Sequence, residues 1–395
     1  MKILFVTPYL CYPEVPYAGG LTIFELMKGL SFRGHEVFLI TGLRPGDRDH
    51  LGEVKPLCQI LDAIEVPWTK NEIMRAVGRW MLNGLKDGLT FRRKAAFSVT
   101  RFSTEIPFDI IQVEHTELGE CMKRPDGIPM VIDAHDILLK PSLREYKLAK
   151  GISKLIKYIK YKALERREIS IYKRFDRVFT RSEFDREMLL SYDRELDVSI
   201  LPPYVRIEYP SGNEIRRDTN SILFTGAMDR PVNIEAVRYF YKEIFPLIKK
   251  EIPDARFYVV GNKPPEEIKR IGEKDKDVII TNFVKDIKPY YLRASVFAAP
   301  LFVGGGIIVK ILDAMAAGLP VVTTTVGNEG IEAIPDRDIV IADEPEDFAN
   351  KAVILLRDES LWKRFSENGG AFARKKFAWD GIVENMVDEY KRLIA

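Results

Sequence analysis

Residues 304–322, GGGIIVKILDAMAAGLPVV, follow a predicted strand at Val296–Ala299 and contain a predicted helix at Lys310–Ala317. Three consecutive glycines let the backbone approach a ligand closely and adopt a positive φ. The amide groups from about Gly306 to Val309 then point out of the helix N-terminus, where a phosphate or diphosphate fits. Lys310 places a cation where the helix dipole disfavours one, which indicates an anion nearby. A tight turn into a core helix is the alternative.

The same alternation of strand and helix runs through two arrays, which a polar break at Glu208–Asn220 separates. Short apolar runs are typical of buried parallel strands, and the stretches between them have helical spacing, as at Leu21–Ser31 and Asn233–Lys249. The predicted strands are Lys2–Thr7, Glu36–Thr41, Asp109–Val113, Met130–Asp133, Arg177–Thr180 and Val198–Leu201, then Ser221–Thr225, Arg256–Val260, Val278–Thr281, Val296–Ala299, Pro320–Thr324 and Ile339–Ile341.

Two such arrays predict an α/β protein of two Rossmann-like, doubly wound domains that face each other across a cleft. We expect the first domain at residues 1–207 and the second at 208–375, with a C-terminal helix at 376–395 that packs back on the first domain. Ligands in such sheets bind at the carboxyl ends of the strands.

The composition bounds the class of protein. A chain of 395 residues that is 46% hydrophobic and 30% charged is globular, and a net charge of +2 argues against general nucleic-acid binding. Three dispersed cysteines predict neither a disulfide framework nor a zinc site, and they fit a reducing compartment. The opening MKILFVTPYL lacks the features of a signal peptide, and no apolar run is long enough to span a membrane, so we expect a cytoplasmic protein.

The glycine-rich segment resembles the signature of the family 4 retaining glycosyltransferases, which have the GT-B fold. It is similar to a subgroup in which a small residue, here Gly305, replaces the acidic residue that usually opens the motif. Further motifs occur in the family's order along nearly the whole chain: YAGG (17–20), GHEV (34–37), LFTGAMDRPVN (223–233), VVGNKP (259–264), NFVKDIKPYY (282–291), VGNEG (326–330) and FAWDGI (377–382).

The resemblance implies a donor site in the second half. Asp313 takes the place of the acid that contacts the donor ribose, although the family usually has the longer Glu there. Ile307 and Ile308 stand where members often have Thr-Arg, which leaves Lys310 and Arg230 to neutralise the diphosphate, with Lys263 as a weaker candidate. Gly305 and Gly306 bring the backbone close to the donor, and the backbone of Val284 reads the base edge.

In the first half, Gly19 and Gly20 permit close approach to the distal phosphate of the donor, or simply a turn into the next helix. His115 and His135 both follow strand ends, where a histidine is more often a structural hydrogen-bonding group. The resemblance implies that His115 lies near the transferred sugar and acts with Asp313 in catalysis. His135 and Asp136 are weaker candidates for contacting the acceptor.

We expect no metal ion and no cofactor other than the nucleotide-sugar substrate. Three Asp-x-Asp matches, at Asp47–Asp49, Asp275–Asp277 and Asp336–Asp338, lie in polar contexts and are predicted to be solvated loops. Without a metal ion, the helix N-terminus and its cations must stabilise the leaving diphosphate.

The charge is unevenly distributed. Lys140–Arg174 contains 12 basic and 3 acidic residues, and Lys70–Arg101 contains 8 basic and 2 acidic residues, with apolar residues interspersed. Basic amphipathic helices of this kind bind anionic bilayers, so both stretches predict peripheral attachment to the inner face of the cell membrane. A core helix with a solvated lysine face is the alternative.

The resemblance thus implies a hexosyltransferase of cell-envelope polysaccharide synthesis. It would move a hexose-type sugar with retention from a nucleotide-diphosphate sugar to a hydroxyl of a lipid-linked or glycan acceptor. A GT-B epimerase or sugar-phosphate synthase, or a degenerate nucleotide-sugar-binding protein, remains an alternative. The absence of GxGxxG after the first strand argues against a nicotinamide dehydrogenase.

Overall fold

The computed structural model describes residues 1–15, 18–66, 83–205, 217–303 and 306–395. The chain divides into two units: unit 1 comprises Met1–Pro202 with Asp380–Ala395, and unit 2 comprises Pro203–Trp379. The predicted boundary between residues 207 and 208 falls outside the described residues, as does most of the predicted linker. No helix among the described residues is both long and apolar enough to cross a membrane.

Unit 1 is built on a parallel sheet of seven strands in the order β3-β2-β1-β4-β5-β6-β7. The strands are β1 Lys2–Thr7, β2 Glu36–Leu43, β3 Gln59–Glu65, β4 Ile110–Glu114, β5 Met130–Asp133, β6 Arg177–Thr180 and β7 Val198–Ile200. The helices are α1 Ala18–Phe32, α2 Leu51–Val54 after a 3₁₀ turn at Asp47–His50, α3 Asn83–Glu105, α4 Thr116–Gly119, α5 Leu139–Leu148, α6 Gly151–Tyr172 and α7 Glu183–Tyr192. The strand order reverses between β1 and β4, which makes their carboxyl ends the expected place for a ligand.

Unit 2 contains a parallel sheet of six strands in the order β10-β9-β8-β11-β12-β13. The strands are β8 Ser221–Thr225, β9 Arg256–Val260, β10 Val278–Ile280, β11 Val296–Ala299, β12 Val321–Thr323 and β13 Val340–Ile341. The helices are α8 Pro231–Tyr239, α9 Phe245–Glu251, α10 Glu266–Lys274, α11 Lys288–Arg293, α12 Val309–Ala316, α13 Thr325–Asn328, α14 Pro345–Arg357 and α15 Glu359–Lys376. Here the order reverses between β8 and β11.

The last helix, α16 Trp379–Ile394, belongs almost entirely to unit 1. Its Tyr390 hydroxyl donates a hydrogen bond to the side chain of Gln112 on β4, and Glu389 accepts hydrogen bonds from Arg177 and Ser199. Both Tyr390 and Gln112 are fully buried. The helix is therefore an integral part of the core of unit 1.

The predicted α/β class with two doubly wound sheets is confirmed, and two elements differ from expectation. The strand β3 was not predicted, because QILDAIE is only half-buried at the edge of the sheet and carries a charge in its middle. The helix expected at Asn233–Lys249 is interrupted by a π turn at Phe240–Ile244, which separates α8 from α9.

Candidate active site

Lys310 contacts residues at the carboxyl end of the unit 2 sheet. It lies in the first turn of α12, and its Nζ donates a hydrogen bond of 2.6 Å to Oδ1 of Asn233 at the start of α8. The same Nζ lies 4.3 Å from the centre of the Phe224 ring on β8. A cation over an aromatic face is stabilised by the ring quadrupole. The side chain therefore leaves its own helix and reaches the carboxyl end of β8.

The backbone beside this cation is tightly packed. Gly226 follows β8 with φ +155°, and a Cβ there would lie 2.7 Å from both Nζ of Lys310 and Nδ2 of Asn233. A Cβ on Gly261, which follows β9, would lie 1.8 Å from the carbonyl oxygen of Gly226. Asn233 is held in turn by a hydrogen bond from its Nδ2 to the carbonyl of Ala227. Glycine is thus required at both strand ends for the cation to sit where it does.

The Lys310 ammonium is in an unfavourable electrostatic environment. Desolvation by burial, and secondarily the positive charge of Arg230, lower its pKa from 10.5 to about 7. Arg230 is exposed and occupies the N-cap position of α8, where its side chain makes no capping hydrogen bond. The two residues proposed as phosphate cations thus lie near each other, and the charge of a bound anion would offset both causes of the lowered pKa. Lys263, the weaker candidate, forms an exposed ion pair with Asp229 at 3.7 Å.

The glycine segment before α12 is only partly described. Gly305 lies outside the described residues, and Gly306 is half-buried. Ile307 and Ile308 are also half-buried and pack against the core of unit 2, so they fill space where the family often carries a polar pair. Helix α12 begins at Val309, one residue before its predicted start.

Two further predicted donor residues differ in accessibility. Asp313 is 1% exposed, so its carboxylate lies within the packing of α12 in this conformation. Val284 is half-buried in the loop between β10 and α11, and within the described residues its N–H and C=O make no backbone hydrogen bond. The roles of both residues stay predictions.

In unit 1 the structure brings together the two histidines that the sequence singled out. His115 follows β4 and His135 follows β5, both with positive φ (70° and 47°), and their rings stack 4.2 Å apart at 12°. Positive φ in a non-glycine residue costs energy and clusters at functional sites. Tyr9, which follows β1, places its hydroxyl 3.4 Å from Nε2 of His115.

A charged network that the sequence analysis missed surrounds His135. Its Nε2 lies 2.7 Å from a carboxylate oxygen of Glu114, and its Nδ1 lies 2.9 Å from Nη2 of Arg181. The same Arg181 atom donates to Asp133 at 2.7 Å. The same Arg181 atom also lies 3.2 Å from Nε2 of His135, and because a guanidinium only donates, these contacts favour a neutral imidazole that accepts from Arg181.

The pKa values of this network agree with that assignment. Burial lowers the pKa of His135 to about 3, with Asp133 opposing the shift and Arg181 adding to it. Burial together with the neighbouring His135 lowers the pKa of His115 well below its ordinary value. Burial raises the pKa of Glu114 to about 7, although the hydrogen bond from Gln112 opposes the shift. Both imidazoles are therefore neutral at pH 7 and can donate or accept hydrogen bonds toward a sugar hydroxyl.

One feature of the sequence, the position at a strand end, could have predicted the other charged residues of this network, Glu114, Asp133 and Arg181. Each stands at or just after the carboxyl end of one of three adjacent strands, β4, β5 and β6. Such positions converge on one edge of a parallel sheet. The predicted residue Gly19 belongs to the same edge, because a Cβ there would lie 3.3 Å from Nδ1 of His135.

Gly20 and Asp136, the other residues predicted in unit 1, lie next to Tyr9 and His135. A Cβ on Gly20 would lie 2.9 Å from the side chain of Val15 and 3.0 Å from the ring of Tyr9, so glycine is needed there for packing alone. Asp136 is exposed next to His135, and its backbone N–H bonds to the carbonyl of Ala134. Contact of these residues with a donor phosphate or an acceptor stays a prediction.

Two models of known families match this chain: "Glycosyl transferases group 1" over residues 219–358 and "Glycosyltransferase Family 4" over residues 19–209. The structure of a sucrose-phosphate synthase from Thermosynechococcus elongatus aligns with 100% of the chain and 99% of its own length, with a TM-score of 0.75 and 17% identity. The chain is a glycosyltransferase of the GT-B type.

Two further relatives of this glycosyltransferase are similar in different ways, one in its whole structure and one in part of its sequence. The Anabaena protein HepE, solved in complex with UDP, has a TM-score of 0.67 at 14% identity, with 99% of this chain and 100% of HepE covered. A Klebsiella pneumoniae protein described as an uncharacterized 44.6 kDa protein in the cps region is 25% identical over 253 residues. That match covers 58% of this chain and 65% of the Klebsiella protein.

The glycosyltransferase has one group of potential metal ligands among its described residues, Glu114, Asp133 and His135, whose ligand atoms lie within 4.8 Å of one another. Arg181 hydrogen-bonds to both Asp133 and His135, so the place of a cation in this group is taken by a guanidinium. The donor set is therefore a poor fit for a divalent ion.

The prediction of solvated loops at the Asp-x-Asp matches was wrong for two of the three. Asp47 is buried and accepts a hydrogen bond from the backbone N–H of Arg44, while Asp338 is buried and accepts one from the backbone N–H of Ile334. The physical reason is that a short carboxylate in a turn satisfies nearby backbone donors. In the third match, Asp277 forms an ion pair of 2.7 Å with Lys249.

Proposed function

We propose that this glycosyltransferase moves a hexose-type sugar from a nucleotide-diphosphate sugar to a hydroxyl of a lipid-linked or glycan acceptor, with retention and without a divalent metal ion. The observation that carries the proposal is the desolvated Lys310, held by Asn233 and Phe224 beside Arg230 at the carboxyl end of β8. A cation with a lowered pKa at a sheet edge is typical of a site built for an anion.

The donor would bind at this end of unit 2. Its diphosphate would accept hydrogen bonds from Lys310 and from the amides that begin α12, while the backbone of Val284 would contact the base. The carboxylate of Asp313 would accept hydrogen bonds from the ribose hydroxyls. Because this side chain is buried in the present conformation, it would first have to move slightly. A uridine nucleotide is the first candidate, because HepE was solved with UDP and with UDP-glucose.

The proposed reaction breaks one bond at the anomeric carbon of the donor sugar and forms another there. The bond between the anomeric carbon and the diphosphate oxygen breaks, and the acceptor oxygen forms the new bond on the same face of the sugar. The acceptor proton passes to the leaving phosphate oxygen, whose developing charge Lys310 and the α12 amides stabilise. His115 and His135 would hydrogen-bond the sugar hydroxyls as neutral imidazoles, with Asp136 near the acceptor.

Nucleotide binding is the first test. The purified full-length chain is heated with UDP, GDP or ADP, and with the corresponding glucose donors, in the presence of EDTA. Binding to the folded state alone raises the melting temperature with ligand concentration, so one base should stand out. A Lys310→Met variant should lose this shift. The control Lys276→Met changes an exposed lysine just before β10, at the end of the sheet away from the carboxyl ends of the strands, and should keep the shift.

Turnover is the second test. The selected donor is incubated with a short glucoside acceptor, and sugar transfer and donor hydrolysis are followed with EDTA or with Mn²⁺. Equal rates with EDTA and Mn²⁺ support metal independence, and activity only with Mn²⁺ refutes it. Nucleotide binding without any release of sugar, at any acceptor offered, would indicate a degenerate nucleotide-sugar-binding protein.

A further inference from the structure

An unusual apolar surface lies on the outer side of helix α6. Four side chains, Ile152, Leu155, Ile156 and Ile159, are 82%, 61%, 62% and 61% exposed. Their spacing of three or four residues puts them on one face of the helix. We call this set the α6 apolar face. Leu148, at the end of the preceding helix α5, is exposed as well.

The opposite side of α6 is the side that packs on unit 1. Tyr161, Glu168, Ile171 and Tyr172 are buried. Tyr161 follows Ile159 by two residues, which is about 200° around a helix. The α6 apolar face therefore points away from the core, and the alternative of a core helix with a lysine face does not hold for these residues.

The segment that carries this face is strongly basic. Residues 147–160 include five lysines and no acidic residue. Lys147, Lys150, Lys154 and Lys160 are exposed, and Lys157 is half-buried, 3.9 Å from Glu145. Lys160 follows Ile159 by one residue, about 100° around the helix, and flanks the face, whereas Lys154 follows Ile152 by two residues and lies on the far side. Exposed aliphatic side chains in a strongly basic segment match the acyl region and the negative surface potential of an anionic bilayer.

The inner end of α6 is fixed to the histidine loops of unit 1. Glu168 accepts hydrogen bonds from the backbone N–H groups of Leu138 and Leu139, which open α5 just after His135. The hydroxyl of Tyr172 donates to Glu168 and lies 2.9 Å from the hydroxyl of Thr116, the residue after His115. One rigid helix thus connects the exposed apolar face to the loops that carry both histidines.

We propose that the α6 apolar face docks on the surface of an anionic lipid bilayer, with the four aliphatic side chains inserted among the lipids and the positive charge of residues 147–160 attracted to the headgroups. A second copy of the chain is the competing occupant, but a symmetric contact through this face would bring the same lysines of both copies together. The proposal goes beyond sugar transfer, and it does not depend on the donor or acceptor.

Vesicle flotation of the full-length chain tests it. One set of vesicles contains phosphatidylcholine alone, and the other contains about one third phosphatidylglycerol. We expect the protein to float with the anionic vesicles only, and salt of about 1 M to release most of it because the lysine contribution is screened. No flotation with either set, or equal flotation with both, overturns the proposal.

Matched variants assign the binding to α6. Ile152→Gln with Ile156→Gln should lower the vesicle partition coefficient about tenfold or more, since two inserted aliphatic side chains are lost. Lys154→Gln with Lys160→Gln should lower it about tenfold on anionic vesicles. The controls Ile354→Gln and Lys363→Gln, which alter exposed residues of unit 2, should leave it unchanged.

Two measurements keep the outcome unambiguous. Unchanged melting temperatures show that the glutamine variants are folded, as expected for exposed positions. Light scattering without lipid reports the oligomeric state, and a dimer that Ile152→Gln with Ile156→Gln dissociates would assign the face to a second copy and overturn the proposal. Nucleotide binding measured on the same samples separates this result from the fate of the proposed glycosyl transfer.

Discussion

Nucleotide binding should draw a proton onto Lys310. Desolvation and Arg230 hold the pKa of this ammonium near 7 in the free protein, against an ordinary value of 10.5, which corresponds to about 5 kcal/mol against the charged form. A diphosphate at the start of α12 would supply the missing counter-charge and return the pKa toward its ordinary value. At about pH 8.5 the side chain is then mostly neutral before binding and mostly charged after it, so binding should take up about one proton.

Isothermal titration calorimetry measures this uptake directly. The nucleotide that binds in the thermal screen is titrated at pH 8.5 in two buffers of different ionisation enthalpy, and the slope of observed enthalpy against buffer enthalpy gives the proton number. The affinity for the nucleotide should also fall as the pH rises above about 7. Above this pH Lys310 is mostly neutral in the free protein, so binding requires uptake of a proton whose concentration falls with rising pH.

Lys310→Met provides the decisive comparison. The variant should take up no proton and bind the nucleotide roughly 10–100-fold more weakly, as expected for the loss of a charge-assisted hydrogen bond. Lys276→Met should retain both the uptake and the affinity. Zero proton uptake by the unaltered protein, or undiminished uptake by Lys310→Met, would refute the assignment of this lysine to the diphosphate.

Three other perturbations are tied to single contacts. Arg181→Met leaves a buried carboxylate of β5 without its cation and should lower the free energy of unfolding in urea by about 3–5 kcal/mol. Gly226→Ala should displace Lys310 and weaken nucleotide binding by about tenfold or more in the thermal screen, whereas Gly381→Ala, where a Cβ meets nothing within 4 Å, should not. Folding raises the pKa of Glu114 from 4.5 to about 7, so this group makes stability fall as the pH rises from 4.5 to 7. Glu114→Gln should remove that fall, and urea titrations in which its stability runs parallel to the unaltered protein across this window would contradict the shift.

Most of the sheet could be predicted because buried parallel strands are almost continuous apolar runs. Strands such as β1, β5 and β8 begin and end at the predicted residues for that reason. The edge strand β3 carries no such run, and the π turn after α8 leaves no trace in hydrophobic spacing. Local patterns therefore specify the buried interior better than they specify edges and helix interruptions.

The candidate site was predictable only where one segment carries the signal. Lys310 stands out because a cation in a first helical turn is locally unfavourable, and His115 stands out because it follows a strand. The hydrogen-bond partners in the structure, Asn233 for Lys310 and Arg181 for the neighbouring His135, come from distant segments and look like ordinary polar residues in the sequence. Which groups meet at a sheet edge depends on strand order, and the sequence alone does not state that order.

The return of α16 to unit 1 has a consequence for biosynthesis. Residues 380–395 supply Tyr390, which supports Gln112 behind Glu114, so this support is absent while the intervening unit 2 is still being translated. Nascent chains usually fold from the N-terminus as domains emerge from the ribosome. Here the core of unit 1 lacks its last helix until some 180 further residues have been translated after Pro202. The hydrogen bond from Tyr390 that supports the histidine pair through Gln112 and Glu114 can therefore form only after unit 2 has been synthesised.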